Sequence, residues 1–276
     1  RREQACHFVD LDQLQRAGHH TLIRGHGVSV LRRLRCFMTE RPAAAPPLSA
    51  LTVPALLAIP GLVHGFEPGR GANGETRAAS QERVGAALDS AGRLLLMTQV
   101  HSADVLTAPW VGQPPADAAV AGVPGVLLGI ETADCIPILF VDPRRRVVAA
   151  AHAGWRGTVA GVARRVLEVL LAGGSDPQEV LAAVGPGIGA CCYEVGPEVR
   201  EAFGPESSRF FRPGPRGRPH LDLRAAVVSQ MEGAGLAPAN IHHRDDCTFC
   251  HADRYHSYRR QGPGGGRMIS YVGWTG

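Results

Sequence analysis

The stretch IPILFVDPRRRVVAAAHA, residues 136–153, decides the fold. Two short apolar runs, 136–142 and 147–153, flank the charged segment PRRR. Apolar runs of this length, bounded by turn residues and charge, are typical of strands buried on both faces. Pro143 presets the backbone for a turn. The stretch therefore predicts a buried β-hairpin that carries His152 at the end of its second strand.

The other predicted elements mix strands and helices without a regular alternation. Apolar runs bounded by Gly, Pro or charge predict strands at 94–100, 125–131, 179–186 and 267–274. Helical periodicity predicts helices at 158–174, 197–204 and 223–235. In the first of these helices Thr158 is expected to cap the start and Gly173 to end it. We therefore expect an α/β (α+β) protein with a mixed sheet and helices packed outside it.

Composition and charge exclude several classes of function. All 29 basic residues are arginines, which excludes Schiff-base lysine chemistry and a P-loop lysine. The net charge of +4 arises in residues 1–37, and residues 38–276 hold 22 basic and 22 acidic side chains. This neutral body argues against nucleic-acid binding. No apolar run is long enough for a transmembrane helix, so no membrane partner is expected.

The first fifty residues differ in composition from the rest of the chain. Residues 1–37 are rich in Arg and His, and Met38 is followed by the flexible-looking segment TERPAAAPPLSA. We interpret Met38 as the native initiator and residues 1–50 as a flexible or non-native extension, with a short helical extension as the alternative. A single catalytic domain is expected at 51–276. The seven cysteines form no regular framework and no secretory signal is present, so we expect reduced thiols in the cytoplasm.

Three candidate metal ligands lie at the ends of predicted strands. His101 closes LLLMTQVH, Cys135 lies in TADCIP between two apolar runs, and His152 closes VVAAAH. Two imidazoles and a thiolate suit tetrahedral zinc and leave a fourth position open, and the same set suits copper. Their spacings match no short chelating motif. From spacing alone, histidines in structural hydrogen bonds and a buried apolar Cys135 remain alternatives.

Six motifs resemble, in identity and order, those of the YfiH family, also called the multicopper polyphenol oxidase or laccase-domain family. They are QVHSADV (99–105), TADCIPILFVDP (132–143), AHAGWRGTVAGV (151–162), GPGIGACCYEVGPEV (185–199), LDLRAA (221–226) and HSYRR (256–260). The resemblance implies a single-domain αββα sandwich with mixed β-sheets. It also implies a catalytic centre in which His101, Cys135 and His152 bind zinc or, alternatively, copper.

The resemblance also implies an activity and its substrates. The implied activity is zinc-dependent purine nucleoside phosphorolysis, with adenosine deamination and methylthioadenosine phosphorolysis alongside. Purine nucleosides and phosphate are then the expected partners. Within this scheme the carboxylates nearest in sequence for proton transfer are Glu131 and Asp134.

Arginines are the candidate substrate ligands, because a guanidinium offers several donors in one plane to phosphate. Arg156 and Arg260 lie inside the motifs, as does Arg259. Arg83 matches a family arginine, although Glu82 replaces the Asn that precedes it in the family. Structural ion pairs are the alternative role for such arginines.

Other functions fit some of the same residues. A copper phenol oxidase is possible with one copper ion, whereas a multicopper centre is disfavoured because the sequence contains no His-x-His. Cys135 as the nucleophile of a hydrolase and a non-catalytic binding module are further alternatives. The motif CTFC (247–250) is interpreted as a structural or solvent-facing loop, because neither a second CxxC nor a His at finger spacing accompanies it. Cys191 and Cys192 adjoin a Gly-Pro-Gly turn and are interpreted as packing residues.

Overall fold

A computed structural model of the protein describes residues 48–69, 75–215 and 217–276. The predictions for Met38 and for residues 1–37 lie outside the described residues. Leu48 and Ala50 already pack against buried side chains of the domain. The packed domain therefore includes residues that precede the predicted domain boundary at residue 51.

The described residues form twelve strands. In chain order they are β1 (Leu62–Glu67), β2 (Arg93–Leu95), β3 (Val105–Thr107), β4 (Ala118–Ala121), β5 (Val126–Thr132), β6 (Ile136–Asp142), β7 (Val147–Ala153), β8 (Leu181–Val184), β9 (Phe211–Pro213), β10 (Pro219–Leu221), β11 (Ile241–His243) and β12 (Met268–Trp274). The predicted strand at 94–100 is thus shorter than expected, since only β2 forms there.

Seven α-helices connect and cover these strands in the same described ranges. They are α1 (Pro54–Leu57), α2 (Arg77–Leu88), α3 (Trp155–Val159), α4 (Val162–Ala172), α5 (Pro197–Phe203), α6 (Leu223–Gly233) and α7 (Tyr258–Gln261). Short 3-10 segments occupy Pro205–Phe210, Pro238–Asn240 and Gly262–Gly264. None of the described helices is both long and apolar enough to cross a membrane.

The predicted hairpin is confirmed as β6 and β7. These strands pair antiparallel over their full length, from Ile136 opposite Ala153 to Asp142 opposite Val147. The buried carboxylate of Asp142 accepts hydrogen bonds from the backbone N–H groups of Arg144 and Arg145, at 3.0 and 2.9 Å. These two bonds stabilise the tight turn, which places residue 135 and residues 152–154 at the same end of the sheet.

Two mixed sheets contain ten of the twelve described strands. The larger has the order β11-β8-β6-β7-β4-β3, and the smaller has the order β1-β12-β5-β2. Most neighbours are antiparallel, but β3 pairs with β4, β11 with β8, and β2 with β5 in the parallel sense. The expected mixed arrangement is therefore found, distributed over two sheets.

The sheets pack face to face between helices, as the side chains along each strand show. In β6, Ile138 and Phe140 join the core beneath α4 and α6, whereas Leu139 and Val141 join the core between the sheets. On the other side, α2 packs with Tyr271 of β12. The layers are α2, the small sheet, the large sheet, and α4 with α6, which confirms the αββα sandwich. Both faces of the central strands are buried, which explains their uninterrupted apolar sequences.

The predicted helix at 158–174 is wrong at its start. Two helices occupy the region because Gly161 between them adopts φ +84°, a left-handed conformation that interrupts a helix. Thr158 does not cap a helix but lies within α3, where its hydroxyl donates to the carbonyl of Gly154. Gly173 follows α4 at its C-terminal end, as predicted.

Candidate metal centre and its pocket

The three predicted metal ligands lie together. Cys135 immediately precedes β6, His152 lies in β7 opposite Pro137, and His101 lies in the segment between β2 and β3. The Sγ atom of Cys135 is 3.9 Å from Nε2 of His101, and the two imidazole rings meet edge to face with centroids 4.8 Å apart. The possible ligand atoms of all three residues lie within 4.8 Å of one another.

A buried carboxylate positions both histidines. Asp117, just before β4, accepts a hydrogen bond from Nδ1 of His152 at 2.7 Å. Its other oxygen accepts the backbone N–H groups of Val100 and Ser102, at 3.0 and 2.7 Å. Because Nδ1 of His152 is engaged by Asp117, Nε2 is left to face Cys135 and His101, the arrangement usual for metal-ligating histidines.

Asp117 was missed from the sequence. Its only local signal is a lone carboxylate in PADAAV, directly before an apolar run. It lies 35 residues from His152, and nothing in that spacing indicates contact. The pairing arises because β4 and β7 are neighbours in the large sheet.

The absence of a side chain at Gly154 leaves room for two of the candidate ligands. A Cβ atom built at this position lies 2.7 Å from Cδ2 of His101 and 3.0 Å from Sγ of Cys135. Its backbone is ordinary, with φ −78°, so the requirement is for space and not for a special conformation. His101, in contrast, has φ +63°, which is uncommon for a residue with a side chain. The ring is therefore directed into the site at some backbone cost.

The side chains of the centre influence one another's protonation. Burial raises the pKa of the Cys135 thiol, but the positive charge of His152 and the hydrogen bond with His101 outweigh burial, so the pKa is lowered. Burial lowers the pKa of His152, yet the charge of Cys135 and the hydrogen bond to Asp117 carry it above its usual value. Without metal, Cys135 and His152 thus favour a thiolate–imidazolium pair.

The donor set and its spacing fit a zinc ion. Tetrahedral zinc with Zn–S of about 2.3 Å and Zn–N of about 2.0 Å separates its ligand atoms by roughly 3.5 Å. The 3.9 Å between Cys135 and His101 is close to that separation. Three protein ligands leave a fourth position, as in catalytic zinc sites. Copper accepts the same ligands, so the donor set supports a metal without identifying it.

A cavity of about 530 Å³ opens onto the three ligands. Its walls combine aromatic rings and guanidinium groups with the two carboxylates singled out from the sequence. The lining residues include Trp155, Tyr193, Tyr258, Arg77, Arg156, Arg259, Arg267, Glu131 and Asp134. This composition suits a ligand with a flat ring and negative charge.

Of the three predicted substrate arginines, the structure places Arg156 in the cavity wall. Its guanidinium lies 4.3 Å from the ring centroid of Trp155. Arg83 and Arg260 do not line the cavity. Arg83 forms ion pairs with Glu67 and Glu75, both at 2.8 Å.

The guanidinium of Arg260 has a structural role. It donates to the carbonyls of Thr248, Phe249 and Tyr255, at 2.6 to 3.0 Å. Substrate binding by Arg83 and Arg260 stays a prediction that these contacts do not favour. Arg77 and Arg267 were missed from the sequence, because they neither share a motif with the candidate metal ligands nor lie near them along the chain.

The two carboxylates at the cavity differ in their surroundings. Asp134, with φ +87°, accepts hydrogen bonds from Thr248, Ser257 and the backbone N–H of Arg259, at 2.6, 3.0 and 2.7 Å. Glu131 is bound by the Arg77 guanidinium, which reaches both of its oxygens. Asp134, next to Cys135, therefore links the residues just before β6 to the start of α7, where Arg259 lies.

The fold and the site together define a class: αββα proteins whose candidate metal centre lies at the open end of a buried hairpin. The chain belongs to the family described as multi-copper polyphenol oxidoreductase laccase, whose sequence model matches residues 69–275. This confirms the family resemblance drawn from the motifs.

Similar proteins agree with this assignment. A purine nucleoside phosphorylase of Deinococcus radiodurans is 41% identical over 199 residues, which cover 72% of this chain and 76% of that protein. Adenosine deaminase RL5, from an unknown prokaryotic organism, is 40% identical over 56% of this chain and 61% of its own length. The crystal structure of YlmD from Geobacillus stearothermophilus has a TM-score of 0.70 at 28% identity, covering 79% of this chain and 93% of that one.

Proposed function

We propose that the protein is a zinc-dependent purine nucleoside phosphorylase that also deaminates adenosine and cleaves methylthioadenosine with phosphate. The observation that carries the proposal is that the candidate metal centre opens into one cavity with three aromatic rings and four arginines. Relatives named purine nucleoside phosphorylase and adenosine deaminase support it. The phosphorylase and deaminase reactions use the same purine nucleoside, so one cavity serves both.

Aromatic side chains are assigned to the purine. Tyr258 is 52% exposed although it is large and apolar, and Trp155 faces the same cavity. An exposed aromatic ring beside a candidate reaction centre is suited to stacking on a base, and such stacking contributes about 1–3 kcal/mol. These rings would hold the purine while its sugar and the exocyclic amine approach the centre.

Arg156 is assigned to phosphate. Within the described residues no carboxylate forms an ion pair with Arg156, so its donors remain available to an anion. Arg77, by comparison, already shares its guanidinium with Glu131. In phosphorolysis the phosphate oxygen attacks the anomeric carbon as the bond to the purine nitrogen breaks, and the electron pair leaves with the base. An arginine that orients the phosphate lowers the entropic cost of that attack.

The centre itself is assigned as follows. His101, Cys135 and His152 would hold the zinc, and Asp117 orients His152. When bound, zinc supplies Lewis acidity and lowers the pKa of water so that hydroxide is available near neutral pH for deamination.

The carboxylates have separate roles in the proposal. Asp134 already accepts three hydrogen bonds and is assigned to positioning Arg259. Glu131, which also lines the cavity, is the remaining candidate for moving a proton at the substrate. To do so its carboxylate would have to release hydrogen bonds from Arg77 or Gln81.

To test the proposal, purified protein of known metal content is incubated with adenosine, once in the presence and once in the absence of phosphate. The products are then separated and identified. Adenine and ribose 1-phosphate that form only with phosphate demonstrate phosphorolysis, and inosine that forms without phosphate demonstrates deamination. Replacing adenosine with methylthioadenosine tests the third activity. His101→Ala should abolish the products, whereas the exposed, aspartate-paired His243 provides the matched control His243→Ala.

A copper-dependent phenol oxidase is the second candidate, favoured by the family description and by a ligand set that also suits copper. Oxygen uptake on a phenol by the copper-loaded protein, with no product from adenosine, would overturn the first proposal. Adenosine products from the zinc-loaded protein without oxygen uptake would overturn the second.

A further inference from the structure

Four cysteines outside the catalytic cavity form a second cluster, although nothing in the sequence indicated that the two pairs meet. The Sγ atom of Cys250 lies 3.4 Å from that of Cys192 and 3.7 Å from that of Cys191. With Cys247, all four sulfur atoms lie within 4.8 Å of one another. None of them lines the cavity at the catalytic centre.

The sheet explains why these distant cysteines meet. β8 and β11 are parallel neighbours, with Val184 opposite His243, so the segments that follow them leave the same edge. The pairing resumes beyond the strands, where Gly187 bridges to Cys247 and its carbonyl accepts a hydrogen bond from the N–H of Thr248 at 3.1 Å. The two segments bearing the cysteines are thereby held side by side.

The sulfur spacing fits one tetrahedral metal ion. With Zn–S of about 2.3 Å, a tetrathiolate site separates its sulfurs by roughly 3.8 Å. The separations of 3.4 and 3.7 Å lie near this value and far from the roughly 2.05 Å of a disulfide. Cys250 approaches two partners at similar distances, an arrangement that suits a shared ion better than one pairwise bond.

The surrounding backbone is arranged for thiolate ligands. The N–H of Gly189 donates to Sγ of Cys247 at 3.2 Å, which favours a charged sulfur. A Cβ atom at Gly189 would lie 3.1 Å from Sγ of Cys191 and 3.4 Å from Sγ of Cys247. Glycine at this position therefore keeps the space between the two cysteine segments clear. Cys191 and Cys250 are exposed, so an ion can enter from solvent.

We propose that Cys191, Cys192, Cys247 and Cys250 bind a structural zinc ion in a closed tetrathiolate site, separate from the catalytic centre. Four protein ligands complete the coordination of zinc and leave no open position, which is typical of structural sites.

The proposed ion supports the cavity wall. Thr248, next to Cys247, donates its hydroxyl to Asp134 at 2.6 Å, and Asp134 is adjacent to Cys135. Tyr193, next to Cys192, lines the cavity. Arg260 binds the carbonyls of Thr248 and Phe249 between the two cysteines of CTFC. The zinc would thus hold together two segments that contact the catalytic site.

The test measures zinc in protein purified anaerobically, by elemental analysis and native mass spectrometry. We expect roughly two zinc ions per chain in the unaltered protein and one fewer in Cys250→Ser. Cys135→Ser is the matched control, because it removes a ligand of the other centre. The double variant should bind none. Zinc content of Cys250→Ser equal to that of the unaltered chain would overturn the proposal.

A second measurement uses the unaltered chain and does not depend on a variant that folds. Alkylation of native protein, followed by peptide mapping, should leave the four cysteines protected with zinc and modified after chelation. Rapid alkylation of Cys191 and Cys250 in the zinc-loaded protein, or disulfide-linked peptides among the four, would overturn the tetrathiolate site. Both results are independent of whether the protein acts on nucleosides.

Discussion

Asp117 and His152 are joined by a 2.7 Å hydrogen bond between Oδ1 and Nδ1, buried beneath the candidate metal centre. The same carboxylate binds the backbone on either side of His101, through the N–H groups of Val100 and Ser102. One aspartate therefore controls the orientation of one candidate ligand and the position of another.

The first prediction concerns this carboxylate. Asp117→Asn should weaken zinc binding by about 10- to 100-fold, the usual effect of removing such a supporting residue. Competition with a chromophoric chelator measures the affinity. Asp104→Asn, at a nearby exposed position, is the control and should bind zinc normally. Equal affinity in the two variants would contradict the role assigned to Asp117.

The second prediction concerns space at Gly154. Gly154→Ala should displace His101 or Cys135 and reduce metal content, because the added Cβ lies within 3.0 Å of both side chains. Gly85→Ala is the control, since nothing lies within 4 Å of a Cβ at that helical position. Gly85→Ala should keep its metal, and its free energy of unfolding should rise by up to about 1 kcal/mol. Full metal occupancy in Gly154→Ala would refute the argument.

The third prediction concerns pH in the metal-free protein. The pKa of Cys135 is lowered by His152 and His101 in spite of burial, so its thiolate should persist to more acidic pH than an ordinary thiol. The alkylation rate of Cys135 should therefore fall only at pH values below those at which an unfolded cysteine loses reactivity. Peptide mapping after timed alkylation gives the rate. His152→Ala should move the midpoint to higher pH, and an unchanged midpoint would count against the ion pair.

The fourth prediction separates two arginines. Arg156→Ala should raise KM for phosphate by roughly 10-fold or more, since a charged hydrogen bond contributes about 1.5–3 kcal/mol. Arg164→Ala, which removes an exposed arginine paired with Glu168, is the control. Initial rates at varied phosphate provide the comparison. Unaltered phosphate dependence in Arg156→Ala would remove this residue from the proposed mechanism.

The fifth prediction concerns Arg260, whose guanidinium binds three backbone carbonyls. Arg260→Ala should lower the free energy of unfolding by about 2 kcal/mol, because those partners lose their donors. Equilibrium unfolding in denaturant measures this free energy. Arg165→Ala, on an exposed helix surface, should change stability little. A rise in KM for phosphate without loss of stability would instead support the substrate role predicted from the motifs.

Several features of the fold could be predicted because they depend on local sequence. The apolar runs of β6 and β7 have the length and composition of buried strands, and the DPRRR turn specifies their antiparallel pairing. That pairing alone brings Cys135 near His152. Helix boundaries were less predictable. Gly161 interrupts the helix expected at 158–174, and the position of this break is visible only from the left-handed backbone conformation of Gly161 in the structure.

The motifs pointed to His101, Cys135 and His152 as candidate metal ligands, and their resemblance to one family predicted the αββα sandwich. What the sequence determined by itself was therefore the buried hairpin, the family and the three candidate ligands that the structure brings together.

Only the tertiary structure decided which distant residues meet. Asp117 contacts His152 because β4 lies beside β7, and Cys192 meets Cys250 because β8 lies beside β11. The tertiary structure also places the Arg260 guanidinium against backbone carbonyls and Arg267 in the cavity wall. The physical reason is that the order of strands in a sheet arises from packing of the whole core, and this order brings together side chains whose separation along the chain carries no signal.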